Sequence, residues 1–101
     1  MEAYSVMIKG GNKCEIQMKE NSVLTIYDIS LSKSKNKQEK QHEIQLMYSS
    51  SKGEDGMIAY LSEKANIYQM NTKLEILPNT IVCFEAIGNG EVYLNGIIYS
   101  F

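Results

Sequence analysis

Apolar residues recur at every second position along this chain, and that period rules out most helical folds. In KCEIQMK, residues 13–19, Cys14, Ile16 and Met18 share one face while Lys13, Glu15, Gln17 and Lys19 share the other. That is the signature of a half-buried strand. HEIQLMYS repeats it with Ile44, Leu46 and Tyr48 inward, and YQMNTKLEIL sets Met70, Thr72, Leu74 and Ile76 against Asn71, Lys73 and Glu75. SVLTIYDISLS places Val23, Thr25, Tyr27, Ile29 and Leu31 on one side and Leu24 and Ile26 on the other. Its first half is therefore apolar on both faces, as in a central strand or one covered by a partner chain. With GMIAYL, TIVCFEAI and the two ends of the chain, the count is about eight strands.

Turn residues fall between these runs, at Gly10-Gly11-Asn12, Glu20-Asn21, Lys52 to Gly56, Pro78-Asn79 and Gly88-Asn89-Gly90. SEKANIYQ has room for one helical turn with Ser62 as its cap. An all-β chain of short, evenly spaced strands with glycine-rich turns is a sandwich, a barrel or a jelly roll. At 101 residues it is sized for a single domain, 1–101.

Composition narrows the function. With 44% hydrophobic and 22% charged residues, the chain has the make-up of an ordinary globular domain. Net charge is −2 and all ten positive charges are lysines. Without guanidinium forks or a positive total, direct nucleic-acid binding is disfavoured. Cys14 and Cys83 lie within apolar alternation and read as two small buried hydrophobes. No ligand spacing suggests a metal, no motif suggests a cofactor, and no apolar run approaches the roughly 18 residues of a membrane span. There is no basic leader followed by an apolar segment either, so a soluble intracellular protein is expected.

The longest polar interruption is SKSKNKQEKQ, residues 32–41, which reads as a flexible, lysine-rich hairpin tip. His42, the only histidine, follows it between Gln41 and Glu43 and reads as a surface residue. Acidic residues are scattered singly except for Glu54-Asp55 in a turn. With no nucleophile beside a base, no carboxylate pair and no phosphate loop leading into a helix, catalysis is not expected.

The order of these parts resembles the nucleoplasmin-like domain family. The resemblance rests on AYSVMIKGG, VLTIYDISLS, a variable polar loop, IQLMY, the acidic turn KGEDG, MIAYLS, and the ending IVCFEAIGNGEVYLNGIIYSF, and it runs from about Tyr4 to Phe101. The family includes nucleoplasmin and nucleophosmin, the N-terminal domains of nuclear immunophilin-type prolyl isomerases, and plant nucleoplasmin-like histone deacetylases. The family's last strand is usually followed by an acidic tail or another domain. Its aromatic and glycine opening is AYSV here, a looser match. Where the plant deacetylase branch has a histidine proposed as catalytic, this chain has Thr25, so deacetylase activity is not carried over.

What the resemblance implies is an eight-stranded jelly roll that assembles into a homopentamer, or two stacked rings making a decamer, and chaperones core histones in the nucleus. Leu24, Ile26, Ile97 and Tyr99, on the two-faced apolar stretches, are the expected subunit-interface residues. Glu54 and Asp55, then Glu39 and Glu43, are the expected histone contacts. Strong histone binders of the family carry acidic tracts where this chain has Lys33, Lys35, Lys37 and Lys40 around two glutamates, so binding should be modest and salt-sensitive. The alternatives are a jelly roll that binds carbohydrate or another small ligand through its seven tyrosines, and a purely structural assembly domain.

Overall fold

The computed structural model describes residues 1–101 as eight strands and no helix. They are β1 (Glu2–Lys9), β2 (Lys13–Gln17), β3 (Ser22–Leu31), β4 (Glu43–Ser50), β5 (Asp55–Ser62), β6 (Gln69–Ile76), β7 (Ile81–Asn89) and β8 (Glu91–Ser100). Two four-stranded sheets form, ordered β1-β8-β3-β6 and β2-β7-β4-β5, and all pairings are antiparallel. Only β4 and β5 are both consecutive and paired; every other connection crosses from one sheet to the other. That winding is a jelly roll.

Between the sheets, the inward residues that alternation predicts on β4 meet buried partners from β7 and β8. Ile44, Leu46 and Tyr48 of β4 are buried, as are Val82, Phe84 and Ala86 of β7 and Val92 and Leu94 of β8. The Phe84 ring lies 5.6 Å from that of Tyr48 at a tilt of 44°, within the range favoured by aromatic pairs.

Strand β3 departs from simple alternation. Ile26 pairs with Gly96 while Asp28 pairs with Asn95, so Tyr27 is an extra residue against β8, a β-bulge. Before the bulge Leu24 and Ile26 point into the core; after it Ile29 and Leu31 do, and Tyr27 is left 41% exposed. This corrects two expectations at once. Leu24 and Ile26 are each 0% exposed and belong to the domain's own core, not to a subunit interface, and Tyr27, which alternation groups with Ile29 and Leu31, does not share their burial. Opposite the bulge, a Cβ on Gly96 would collide with the Thr25 carbonyl, so glycine lets β8 approach β3 there.

Three smaller expectations also change. The 32–41 loop joins strands of different sheets, so it is a sheet-to-sheet connection and not a hairpin tip. The stretch from Ser62 forms a tight turn, with the Ala65 N–H donating to Ser62 Oγ at 3.2 Å and Asn66 at φ 60, instead of a helical turn. Cys14 and Cys83 are free and only half-buried, with Cys83 on the outward side of β7 between the buried Val82 and Phe84.

Candidate functional site

Each sheet turns an outward face to solvent, and both faces carry more apolar surface than a solvated sheet needs. On the β1-β8-β3-β6 sheet, Met7 is 51%, Tyr93 39% and Tyr99 44% exposed. Met7 lies across from Tyr93, Ala3 from Ile97, and Val23 from Tyr99. Ile97 and Tyr99, two of the expected interface residues, therefore stand on this face.

A polar ribbon crosses the middle of the same face. Ser5 Oγ donates to Asn95 Oδ1 at 2.9 Å, and Asn95 Nδ2 donates to one Asp28 oxygen at 3.1 Å. The Gln69 side-chain amide donates to the other Asp28 oxygen. One residue from each of β1, β8, β3 and β6 takes part, and the ribbon divides the apolar surface into two patches.

The opposite face belongs to β2-β7-β4-β5. There Ile81 (40%), Ile87 (46%), Met57 (56%) and Tyr60 (37%) are exposed, and Met47 lies across from both Met57 and Glu85. Tyr60 stands between the buried Ala59 and Leu61, and Ile81 and Ile87 adjoin the buried Val82 and Ala86. The domain thus has a core between its sheets and an apolar surface on each side.

At one end of the sandwich the lysine loop is tied down by His42. Contrary to the surface reading, His42 is 4% exposed. Its Nε2 lies 2.9 Å from Glu39 Oε1, and its Nδ1 lies 2.8 Å from the Ser32 carbonyl and 2.9 Å from Ser32 Oγ. Glu63 accepts from the His42 N–H at 2.7 Å, from the Ser34 N–H at 3.1 Å and from Ser34 Oγ at 3.0 Å. Burial alone would depress the imidazole pKa. The hydrogen bonds to Glu39 and the Ser32 carbonyl, with the charges of Glu63 and Glu39, outweigh it and hold the group above its ordinary value. The Lys35 N–H and then His42 draw the Glu39 carboxyl below its ordinary range, and the His42 N–H does the same for Glu63.

The four expected histone contacts do not converge. Glu54 and Asp55 are exposed in the β4–β5 turn, where the Ser50 N–H donates to the Glu54 carbonyl at 2.8 Å. Glu43 opens β4 at its other end, roughly 20 Å away at about 3.4 Å per residue, and accepts from the Tyr60 hydroxyl at 2.7 Å. Glu39 is engaged by His42 and by the Lys35 N–H at 2.7 Å. Of the four, Glu54 and Asp55 alone accept no side-chain or capping hydrogen bond through their carboxylates.

The class these features define is a two-sheet jelly roll with apolar surface on both outer faces. The nucleoplasmin-like domain profile matches residues 3–99, and the chain belongs to that family. The Drosophila NLP core, whose crystal structure bears on pentamer formation and histone binding, superposes with a TM-score of 0.78 at 22% identity, covering 97% of this chain and 98% of that one. The nucleoplasmin-like N-terminal domain of Drosophila FKBP39 gives a TM-score of 0.73 at 19% identity, covering 98% and 88%. No curated protein matches the sequence significantly.

Proposed function

We propose that this chain is the pentameric core domain of a nuclear histone chaperone, acting in chromatin assembly. The observation that carries the reading is the pair of outward apolar faces on opposite sides of one sandwich. A closed ring needs two different surfaces on each subunit, one for each neighbour. The face bearing Tyr93, Ile97 and Tyr99 supplies one, and the face bearing Ile81, Ile87 and Met57 the other. Burying such side chains at the centre of a contact, with polar residues at the rim, is how subunit interfaces gain their stability.

Histones are cationic, so their contact falls to carboxylates with no competing internal bond. Glu54 and Asp55 meet that condition, repeated around a ring as five copies of one acidic turn. Two carboxylates per subunit give modest, salt-sensitive affinity.

Light scattering on a sizing column tests assembly directly. A mass near 57 kDa, five times the 11.4 kDa chain, is expected, and twice that if two rings stack into a decamer. A folded species at the monomer mass would defeat the reading; a ring with no affinity for core histones would leave assembly as its only role.

A further inference from the structure

We propose that His42 is a proton-operated clasp: as the imidazolium it holds residues 35–39 of the loop on the end of the sandwich and keeps Glu39 occupied, and on deprotonation it releases both. The part that concerns Glu39 as a partner contact rests on the histone-binding reading above.

The hydrogen-bond inventory carries the inference. Nε2 faces Glu39 Oε1 at 2.9 Å and Nδ1 faces the Ser32 carbonyl at 2.8 Å, and neither oxygen has a proton to give. The second neighbour of Nδ1, Ser32 Oγ, donates its proton to Glu91 Oε2 at 2.7 Å and accepts from the Glu91 N–H at 3.0 Å. With the Ser32 proton placed on Glu91, every partner of the ring is an acceptor. A neutral imidazole has one N–H, and only the imidazolium has two. Deprotonation leaves a ring lone pair pointed at an oxygen lone pair in a site with little access to water.

The charged groups around the ring favour the same form. Glu39 of the loop is in contact, Glu63 of the β5–β6 turn lies 3.9 Å from Nδ1, and Glu91 of β8 acts through Ser32. Glu43 of β4, bonded to Tyr60, lines the neighbouring cleft. Against them stand Lys9 of β1, Lys40 of the loop and Lys64 beside Glu63, none of which forms an ion pair with a carboxylate. The raised affinity of the ring for its proton agrees with this balance.

The middle of the loop depends on this contact, while its ends are tied separately by the Ser34–Glu63 bonds and by Asn89 Nδ2 donating to the Lys40 and Gln41 carbonyls. Over residues 35–39 the remaining hydrogen bonds are internal: Lys35 to Glu39, and Gln38 and Glu39 to Asn36. The Glu39–His42 bond is the tie from this stretch to the sandwich, and the stretch has no apolar side chain to anchor it. Breaking the bond frees the segment and turns a half-exposed carboxylate engaged by His42 into one the imidazole no longer holds.

The single histidine gives one imidazole signal to follow by NMR across pH. Its midpoint is expected above the ordinary value of about 6.5. The amides of Lys35 and Glu39 should lose exchange protection as pH rises through that midpoint, while the amide of Leu94 in the core keeps its own. Glu39→Gln, a change in an exposed loop, should lower the midpoint and leave the loop open throughout. A midpoint at or below the ordinary value, or loop amides indifferent to it, would overturn the clasp. With core histones as the probe, the unaltered chain should bind roughly two- to fivefold more tightly than Glu39→Gln above the midpoint, and equally below it. Histone binding without that split would overturn the withholding of Glu39. Absence of any histone binding would instead count against the proposed function, with the NMR result still deciding the clasp.

Discussion

Gly90 lies against the face of His42 so closely that a Cβ on the glycine would sit 2.7 Å from the ring's Cγ. The contact fixes the ring from the β8 side while Glu39 and Ser32 hold its two nitrogens. Gly90 also has φ +112, a conformation that residues with a Cβ rarely adopt. Gly90→Ala should therefore destabilise the domain by about 1–3 kcal/mol, lowering Tm by several degrees in thermal unfolding. The loop should loosen with it, since the ring must shift to make room.

The β3 bulge separates core from surface in a way that mutation can read. Leu24→Ala should cost about 2–5 kcal/mol of stability, measured by denaturant unfolding, because Leu24 fills the space between the sheets. Tyr99→Lys, on the outward face, should leave monomer stability within about 0.5 kcal/mol and shift the solution mass from 57 kDa towards the 11.4 kDa chain. If Leu24→Ala instead dissociated a fully stable ring, the assignment of faces would be reversed.

Reversing the charge of the β4–β5 turn, with Glu54→Lys and Asp55→Lys together, should weaken histone binding by roughly two- to fivefold per charge. The salt dependence of binding should flatten and the ring mass should not change. Titration at two ionic strengths, with light scattering on the same samples, separates these outcomes.

Stability should peak in mildly acidic solution. The His42 proton is held more tightly in the fold than in the unfolded chain, so its contribution is full below pH 6.5 and disappears as pH rises through the higher folded value. Glu39 and Glu63 are displaced downward, so theirs is full above pH 4.5 and is lost as pH falls through their lower folded values. Thermal unfolding as a function of pH should show a maximum between 4.5 and 6.5. A Tm that climbs steadily from 6.5 into the alkaline range would contradict it.

All eight strands could be read from alternation and turn residues, because burying one face of a sheet writes a period of two into the sequence. The bulge could not. One inserted residue at Tyr27 reverses the parity of everything after it, and counting along a single strand has no way to notice. That is why Leu24 and Ile26 read as outward while Ile29 and Leu31 read as inward, when all four share the core. His42 was hidden differently: its neighbours Gln41 and Glu43 are polar, yet it shares parity with Ile44, Leu46 and Tyr48. Extending that alternation one step back would have placed it inside. The outward residues Ile81, Ile87 and Tyr93 occupy off-parity apolar positions of the same kind that drew notice to Ile97 and Tyr99. The engagement of Glu39 depends on chain segments distant in sequence, and no local pattern records it.

The ribbon Ser5–Asn95–Asp28–Gln69 gives the outer face graduations, like the marks on a ruler. For a neighbouring copy seated there, sliding along the strands would drag aliphatic side chains over amides and a carboxylate whose hydrogen bonds are already spoken for. Alignment between subunits then becomes a matter of discrete notches instead of a continuous glide.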